Sequence, residues 1–247
     1  MNNSFIQPKW SAPANVHAWT TTSIGGVSSG PYTSLNLAMH VNDDPESVLR
    51  NRSFIAEKLA MPSEPFWLEQ VHGPEVISLD EQPATHTADG SITCSDGKVC
   101  VVMTADCLPV LLCNQSGTAV AALHAGWRGL AAGILEQGVS MMPGDDDVLA
   151  WLGPAIGPDK FEVGSEVVEG LAAGLGESAG WSRPAAQPGK YFVDIYSHAR
   201  QRLEKSGVAE VSGGGLCTFT DDRHFFSYRR QGQCGRMATL IWLGPPV

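Results

Sequence analysis

The stretch from Val99 to Gly129, VCVVMTADCLPVLLCNQSGTAVAALHAGWRG, constrains this chain more than any other. It holds two short apolar runs, Leu108 to Cys113 and Thr118 to Leu123, separated by Asn-Gln-Ser-Gly, which is the pattern of an antiparallel hairpin. With Gln115 and Ser116 as a two-residue loop, Asn114 faces Gly117, and counting outward brings Cys107 opposite His124 on one face. The same count makes them a pair without mutual backbone hydrogen bonds, in which Cβ atoms approach to roughly 4.5–5.5 Å. A thiol and an imidazole so placed suit either a metal or a nucleophile with its base. A three-residue loop or a bulge would shift this pairing. Pro109 fits the register if its missing N–H points away from the partner strand, toward an edge or an irregularity.

At 247 residues the chain suffices for one large domain or two small ones. Hydrophobic residues make up 43% and charged residues 17%, a globular balance that excludes disorder of the whole chain. A net charge of −10 argues against a nucleic-acid surface, which needs a concentrated basic patch. No run reaches the length of a membrane span, and MNNSFIQPKW lacks the basic and apolar regions of a signal peptide. We therefore expect a cytoplasmic protein whose six cysteines are mostly reduced. Cys94, Cys100, Cys107 and Cys113 crowd one apolar stretch without a C-x-x-C pair and read as small buried hydrophobes. Cys107 differs, because it follows Asp106 at a strand junction.

From the N-terminus, residues 16 to 24 read as a strand, and GVSSGPYTSLNLAMHV as a Gly/Ser/Pro-rich loop carrying Asn36 and His40. Asp44-Pro45-Glu46 starts a helix running to about Ala60. Its inward stripe, Val48, Arg52, Ile55 and Leu59, places Arg52 in the apolar face, as a structural ion pair or as a phosphate or carboxylate binder. Phe66 to Leu68 and Glu75 to Leu79 read as strand pieces around Gln70-Val71-His72-Gly73, and Asp89-Gly90 as a turn. His72 is a candidate third ligand beside Cys107 and His124, since catalytic zinc takes three protein ligands. A helix is expected from Leu130 to about Met142 with Leu130, Ile134 and Met141 on one face, then a strand over 147–152 and a helix over 165–175. Residues 176–189 read as a surface loop. Asp194 caps a further helix, and strands are expected around 216–220, 225–228 and 237–243, with Arg229, Arg230 and Arg236 flanking the last hairpin loop. No G-x-G-x-x-G follows a strand, so the class is mixed α/β and not a Rossmann unit.

Five segments together carry a resemblance: Glu69-Gln70-Val71-His72-Gly73, Thr104 to Val110 (TADCLPV), His124 to Gly129 (HAGWRG), Gly153 to Pro158 (GPAIGP) and Phe226 to Arg230 (FSYRR). In this order they closely resemble the YfiH family, also called the polyphenol oxidase or laccase-domain family, over nearly the whole chain. The resemblance implies a single four-layer α/β/β/α domain over residues 1–247 and a zinc held by His72, Cys107 and His124. It implies phosphorolysis of adenosine, inosine, guanosine or methylthioadenosine, and hydrolytic deamination of adenosine. Such a site leaves a fourth position for water, whose pKa the metal lowers toward about 7. Asp106 is a candidate proton carrier, or equally a supporting carboxylate. Arg52 and Arg230 are candidate phosphate holders, and the expected partners are the small substrates alone, with the chain a monomer. Copper-dependent phenol oxidation competes through the family's older name, but seven histidines without His-x-His do not suit a multicopper cluster, which leaves copper as an alternative ion at the same site. A metal-free cysteine hydrolase, with Cys107 as nucleophile and His124 as base, competes too, for example one editing a wrong amino acid from a cell-wall precursor. A binding module with structural zinc is disfavoured by having three ligands instead of four.

Overall fold

The computed structural model describes residues 4–81, 83–144, 146–173, 175 and 180–245. Two sheets stack face to face. The first has four strands in the order β1 (Phe5–Ile6), β2 (Val16–Thr21), β13 (Met237–Leu243) and β5 (Val99–Thr104). The second has six, in the order β12 (Glu210–Gly213), β8 (Val148–Leu152), β6 (Leu108–Asn114), β7 (Val120–Ala125), β4 (Gly90–Thr93) and β3 (Val76–Ser78). Along the central strands alternate side chains enter different cores. Cys100, Val102, Leu111, Cys113, Val120, Ala122 and Ile241 meet between the sheets. Val99, Val101, Leu240 and Trp242 face outward beneath helix α1 (Pro45–Lys58), which contributes Ile55. Val110, Leu112, Ala121 and Leu123 face the opposite way, beneath α2 (Trp127–Ala132), α3 (Ile134–Ser140), α4 (Ser165–Ala172) and α5 (Ile195–Lys205). The result is the expected four-layer α/β/β/α sandwich. It explains why these strands read as unbroken apolar runs instead of alternating ones, since both of their faces are buried.

The hairpin register differs from the expected one. His124 pairs with Pro109 and Val120 with Cys113, because the loop holds four residues, 115–118, and not two. Asn114 causes this: its side-chain oxygen accepts the N–H groups of Thr118 and Ala119, and its amide donates to the Thr118 hydroxyl, closing the loop from within. The shift is two residues, an even number, so Cys107 and His124 keep a common face although they no longer sit opposite one another. Pro109 lies where the β6–β8 ladder ends, its carbonyl accepting from Gly153.

Other expectations shift for local reasons. The helix after His124 begins at Trp127 and breaks at Gly133, whose φ of 95° separates α2 from α3; Leu130, Ile134 and Leu135 are the buried apolar side chains of α2 and α3, and Met141 is partly buried. Within 176–189, residues 176–179 lie outside the described residues, and the remainder is not a plain loop. Trp181 is fully buried and β10 (Ser182–Pro184) joins a small sheet with β11 (Lys190–Val193) and β9 (Glu162–Gly164). Residues 216–220 and 225–228 form no strand. Cys217 makes a single bridge to Ala155, and Ser227 instead caps a short helix, α6 (Tyr228–Gln231), through the Arg230 N–H. No helix is long and apolar enough to cross a membrane among the described residues.

Candidate metal centre and active-site cleft

The segment between β5 and β6 carries the chain from one sheet to the other, and Cys107 is its last residue before β6. Asp106 makes the corner at a φ of 91°, a conformation Asp tolerates better than most residues. Its carboxylate accepts the Thr218 hydroxyl at 2.6 Å and the Arg229 N–H at 2.7 Å, and its carbonyl accepts from Ile156. Both oxygens expected to carry protons are therefore engaged in holding the corner that presents Cys107.

The carboxylate that serves His124 is Asp89, which the sequence alone marks only as part of a turn. Asp89 is fully buried, and its Oδ1 lies 2.7 Å from His124 Nδ1. It also accepts the backbone N–H groups of Val71, His72 and Gly73 at 3.1, 2.9 and 2.7 Å. Burial alone would raise its pKa, but the His124 bond and these N–H groups outweigh that and lower it. One carboxylate thus orients His124 with Nε2 toward the cleft and wraps the 71–73 turn, where His72 adopts a φ of 62°. Gln70 fixes that turn to β5 by exchanging two hydrogen bonds with the Met103 backbone.

His72, Cys107 and His124 converge as expected, with donor atoms within 4.8 Å of one another. Their imidazoles lie 4.7 Å apart at 75°. Among the described residues they form the one group of three such side chains suited to an ion. The surroundings fit one. A Cβ at Gly126 would come within 3.1 Å of both Cys107 Sγ and His72 Cδ2, so the glycine keeps the space among the donors open. Burial works against charge on both Cys107 and His124, yet each favours the charged form of the other: the thiol is lowered and the imidazole raised. A thiolate is the form that binds a metal.

The group opens on a cleft of about 340 Å3 lined also by His40, Gln70, Met103, Tyr228 and Arg236. Arg236 donates through Nη1 to the carbonyls of Cys234 and Gly235; among the described residues the other side of its fork makes no hydrogen bond. Burial, then the charges of Arg236 and Arg52, lower the His40 pKa, so His40 is a neutral donor or acceptor at pH 7. The two arginines expected to hold phosphate lie differently. Arg230 directs its guanidinium at the carbonyls of Thr218, Phe219 and Phe225 and at Gln231. Arg52 donates to the Leu37 carbonyl and stacks 3.7 Å over Trp67, supporting the loop that carries His40. Its pKa falls to about 10, burial outweighing the help of Glu64, so it stays a cation.

The sequence profile of the family described as multi-copper polyphenol oxidoreductase laccase matches residues 17–244. A protein of Escherichia coli strain K12 named purine nucleoside phosphorylase YfiH is 52% identical over 98% of this chain and 99% of its own. The chain belongs to the YfiH, or laccase-domain, family. A Haemophilus influenzae protein named purine nucleoside phosphorylase is 47% identical, over 96% of this chain and 98% of its own. Among solved structures, a Neisseria meningitidis protein superposes with a TM-score of 0.92 at 45% identity, covering 98% of this chain and 100% of that one. The YfiH-like segments acquire physical roles here. Glu69 to Gly73 is the turn wound on Asp89, Thr104 to Val110 the crossing between sheets, and Phe226 to Arg230 the segment whose Tyr228 lines the cleft.

Proposed function

We propose that this YfiH-family chain is a zinc enzyme of purine nucleosides, phosphorolysing adenosine, inosine, guanosine and S-methyl-5′-thioadenosine and hydrolytically deaminating adenosine. The observation that carries the reading is the His72, Cys107 and His124 group opening on a cleft that Arg236 also lines, with one side of its guanidinium fork free of hydrogen bonds among the described residues. The names of relatives at 47–52% identity along the whole chain support the substrate class.

In phosphorolysis a phosphate oxygen bonds to C1′ as the C1′–N9 bond breaks, and the purine nitrogen that takes the electron pair gains a proton. In deamination a water oxygen bonds to C6 and ammonia leaves. Arg236 holds the phosphate dianion by charge and fork geometry, and neutral His40 adds a hydrogen bond. Asp89 keeps His124 in one tautomer, and the 71–73 turn presents His72. Zinc held by His72, Cys107 and His124 supplies Lewis acidity and lowers the pKa of water. Copper fits the same donors, but five of the seven histidines lie outside the group, and His17, His86, His198 and His224 pack elsewhere, against Trp242, Phe66, Trp181 and Asp221. That distribution does not suit a multicopper cluster.

A second reading has its own observation: Asp89, His124 and Cys107 stand in the order of orienting acid, base and nucleophile, as in a cysteine hydrolase. Metal-quantified protein incubated with adenosine, with and without phosphate, decides between them by chromatography. We expect inosine alone without phosphate, and adenine, hypoxanthine and ribose 1-phosphate besides it with phosphate. All products should disappear on chelation, return with zinc, and be absent from His124→Ala. No product above that control would remove the purine reading and bring the hydrolase forward.

A further inference from the structure

Tyr228 is the most exposed large hydrophobic side chain among the described residues, at 61%, and it stands at a crowded place. It lines the metal-centre cleft. It lines a second hollow of about 150 Å3 with Trp127, Ile156, Phe161 and Ile195, and a third of about 350 Å3 with Val41, Asn42 and Gln233. Cys107 lines both of the first two. Met39 and Val71, both exposed, flank the lining residues His40 and His72.

The backbone beneath this ring is fastened from every side. Asp106 accepts the N–H of Arg229, and Ser227, fully buried, accepts that of Arg230. The Arg229 guanidinium reaches the carbonyls of Lys160 and Glu162, and that of Arg230 reaches three further carbonyls. Two of the residues singled out in the sequence for chemistry, Asp106 and Arg230, spend their polar groups on this anchoring. The Arg236 guanidinium lies 5.9 Å over the Tyr228 ring, and an aromatic ring still so exposed on so constrained a segment is preorganised: binding against it costs little further ordering. The apolar hollow beside it lies below the roughly 300–1,000 Å3 of whole small-molecule sites, so it accommodates one moiety of a ligand.

The geometry points to Tyr228 as the platform on which the purine base stacks at the mouth of the Trp127–Phe161 hollow, with the ribose over Cys107 and phosphate toward Arg236. Asp106 and Arg230 are its positioning residues. The assignment rests on the purine-nucleoside reading above and adds which side chain selects the base.

The test compares wild type with Tyr228→Ala and Tyr228→Phe, measuring KM for inosine in phosphorolysis and the Kd of inosine, which cannot be deaminated, by calorimetry without phosphate. Stacking on an aromatic ring predicts that Tyr228→Ala raises both inosine constants tenfold or more. Tyr228→Phe, which keeps the ring and the Arg236 guanidinium over it, should stay near wild type. Asp106→Asn, compared at matched zinc content, should raise the inosine constants in the same direction. The inference is overturned if Tyr228→Ala binds inosine within twofold of wild type, or if the Phe variant is as impaired as Ala. Wild type that turns over no purine nucleoside would instead sink the proposed function, and the platform with it.

Discussion

Asp89 accepts from four donors at once, and an amide in its place would turn an NH2 toward at least one of the N–H groups of Val71, His72 and Gly73. Asp89→Asn is therefore expected to weaken zinc binding by about 10–100-fold, measurable by competition with a chromogenic chelator. Gly126→Ala should weaken it too, through contact with Cys107 and His72. Arg236 and Arg230 separate by assay. Arg236→Ala should raise phosphate KM tenfold or more, because Arg236 lines the cleft and one side of its fork makes no hydrogen bond among the described residues. Arg230→Ala should instead lower thermal stability, because its donors hold the carbonyls beneath α6. The sequence singled out Cys107, His124 and His72 because thiol and imidazole are scarce and chemically distinctive. Asp89, one acid in the polar run PATHTADG, carries no comparable mark, and Arg236 is marked only as one of three arginines that would anchor an anionic group if their loop folds over the Cys107 face, a direction that depends on the whole fold.

At the level of elements, local chemistry was readable wherever it was self-contained. Asp44 and Asp194 cap helices as expected, accepting the N–H groups of Ser47 and Ser197. Asp194→Ala is predicted to cost about 1 kcal/mol, seen as a melting temperature lower by about 2–4 °C for a chain of this size. The β6–β7 hairpin was readable as a hairpin, but its register turned on Asn114 folding back on its own loop, which the apolar pattern does not reveal. The metal pair survived the error because strand faces repeat every two residues and the slip was even. A slip of one would have turned one of them away. Phe225 and Phe226 invite a strand assignment by composition, yet both are buried as anchors next to α6, and the decisive influence is the Ser227 cap.

Across the whole molecule, the layer of α2 to α5 contains a polar group with a measurable consequence for acid stability. His198 is fully buried, its Nε2 meets the Leu171 carbonyl and its ring meets Trp181 edge-on. Burial, with Arg202 adding to it, lowers its pKa to about 4. Between its ordinary 6.5 and about 4 the unfolded chain binds a proton that the native one refuses, so stability contributed by this group is whole above pH 6.5 and falls as pH drops through that window. By pH 5 the loss should be about 2 kcal/mol, read as a urea midpoint that falls from pH 7 to pH 5 more in wild type than in His198→Gln. At the other side of the six-stranded sheet, His72, Cys107 and His124 come from three separate segments where the two sheets meet. An ion gripped there rivets the open end of the sandwich, and anything bound by the native state alone shifts the balance against unfolding. Copies starved of the ion would fray first at that end and be cut there by proteases. How long each molecule survives would then track the supply of metal, so scarcity would thin the population as well as silence it.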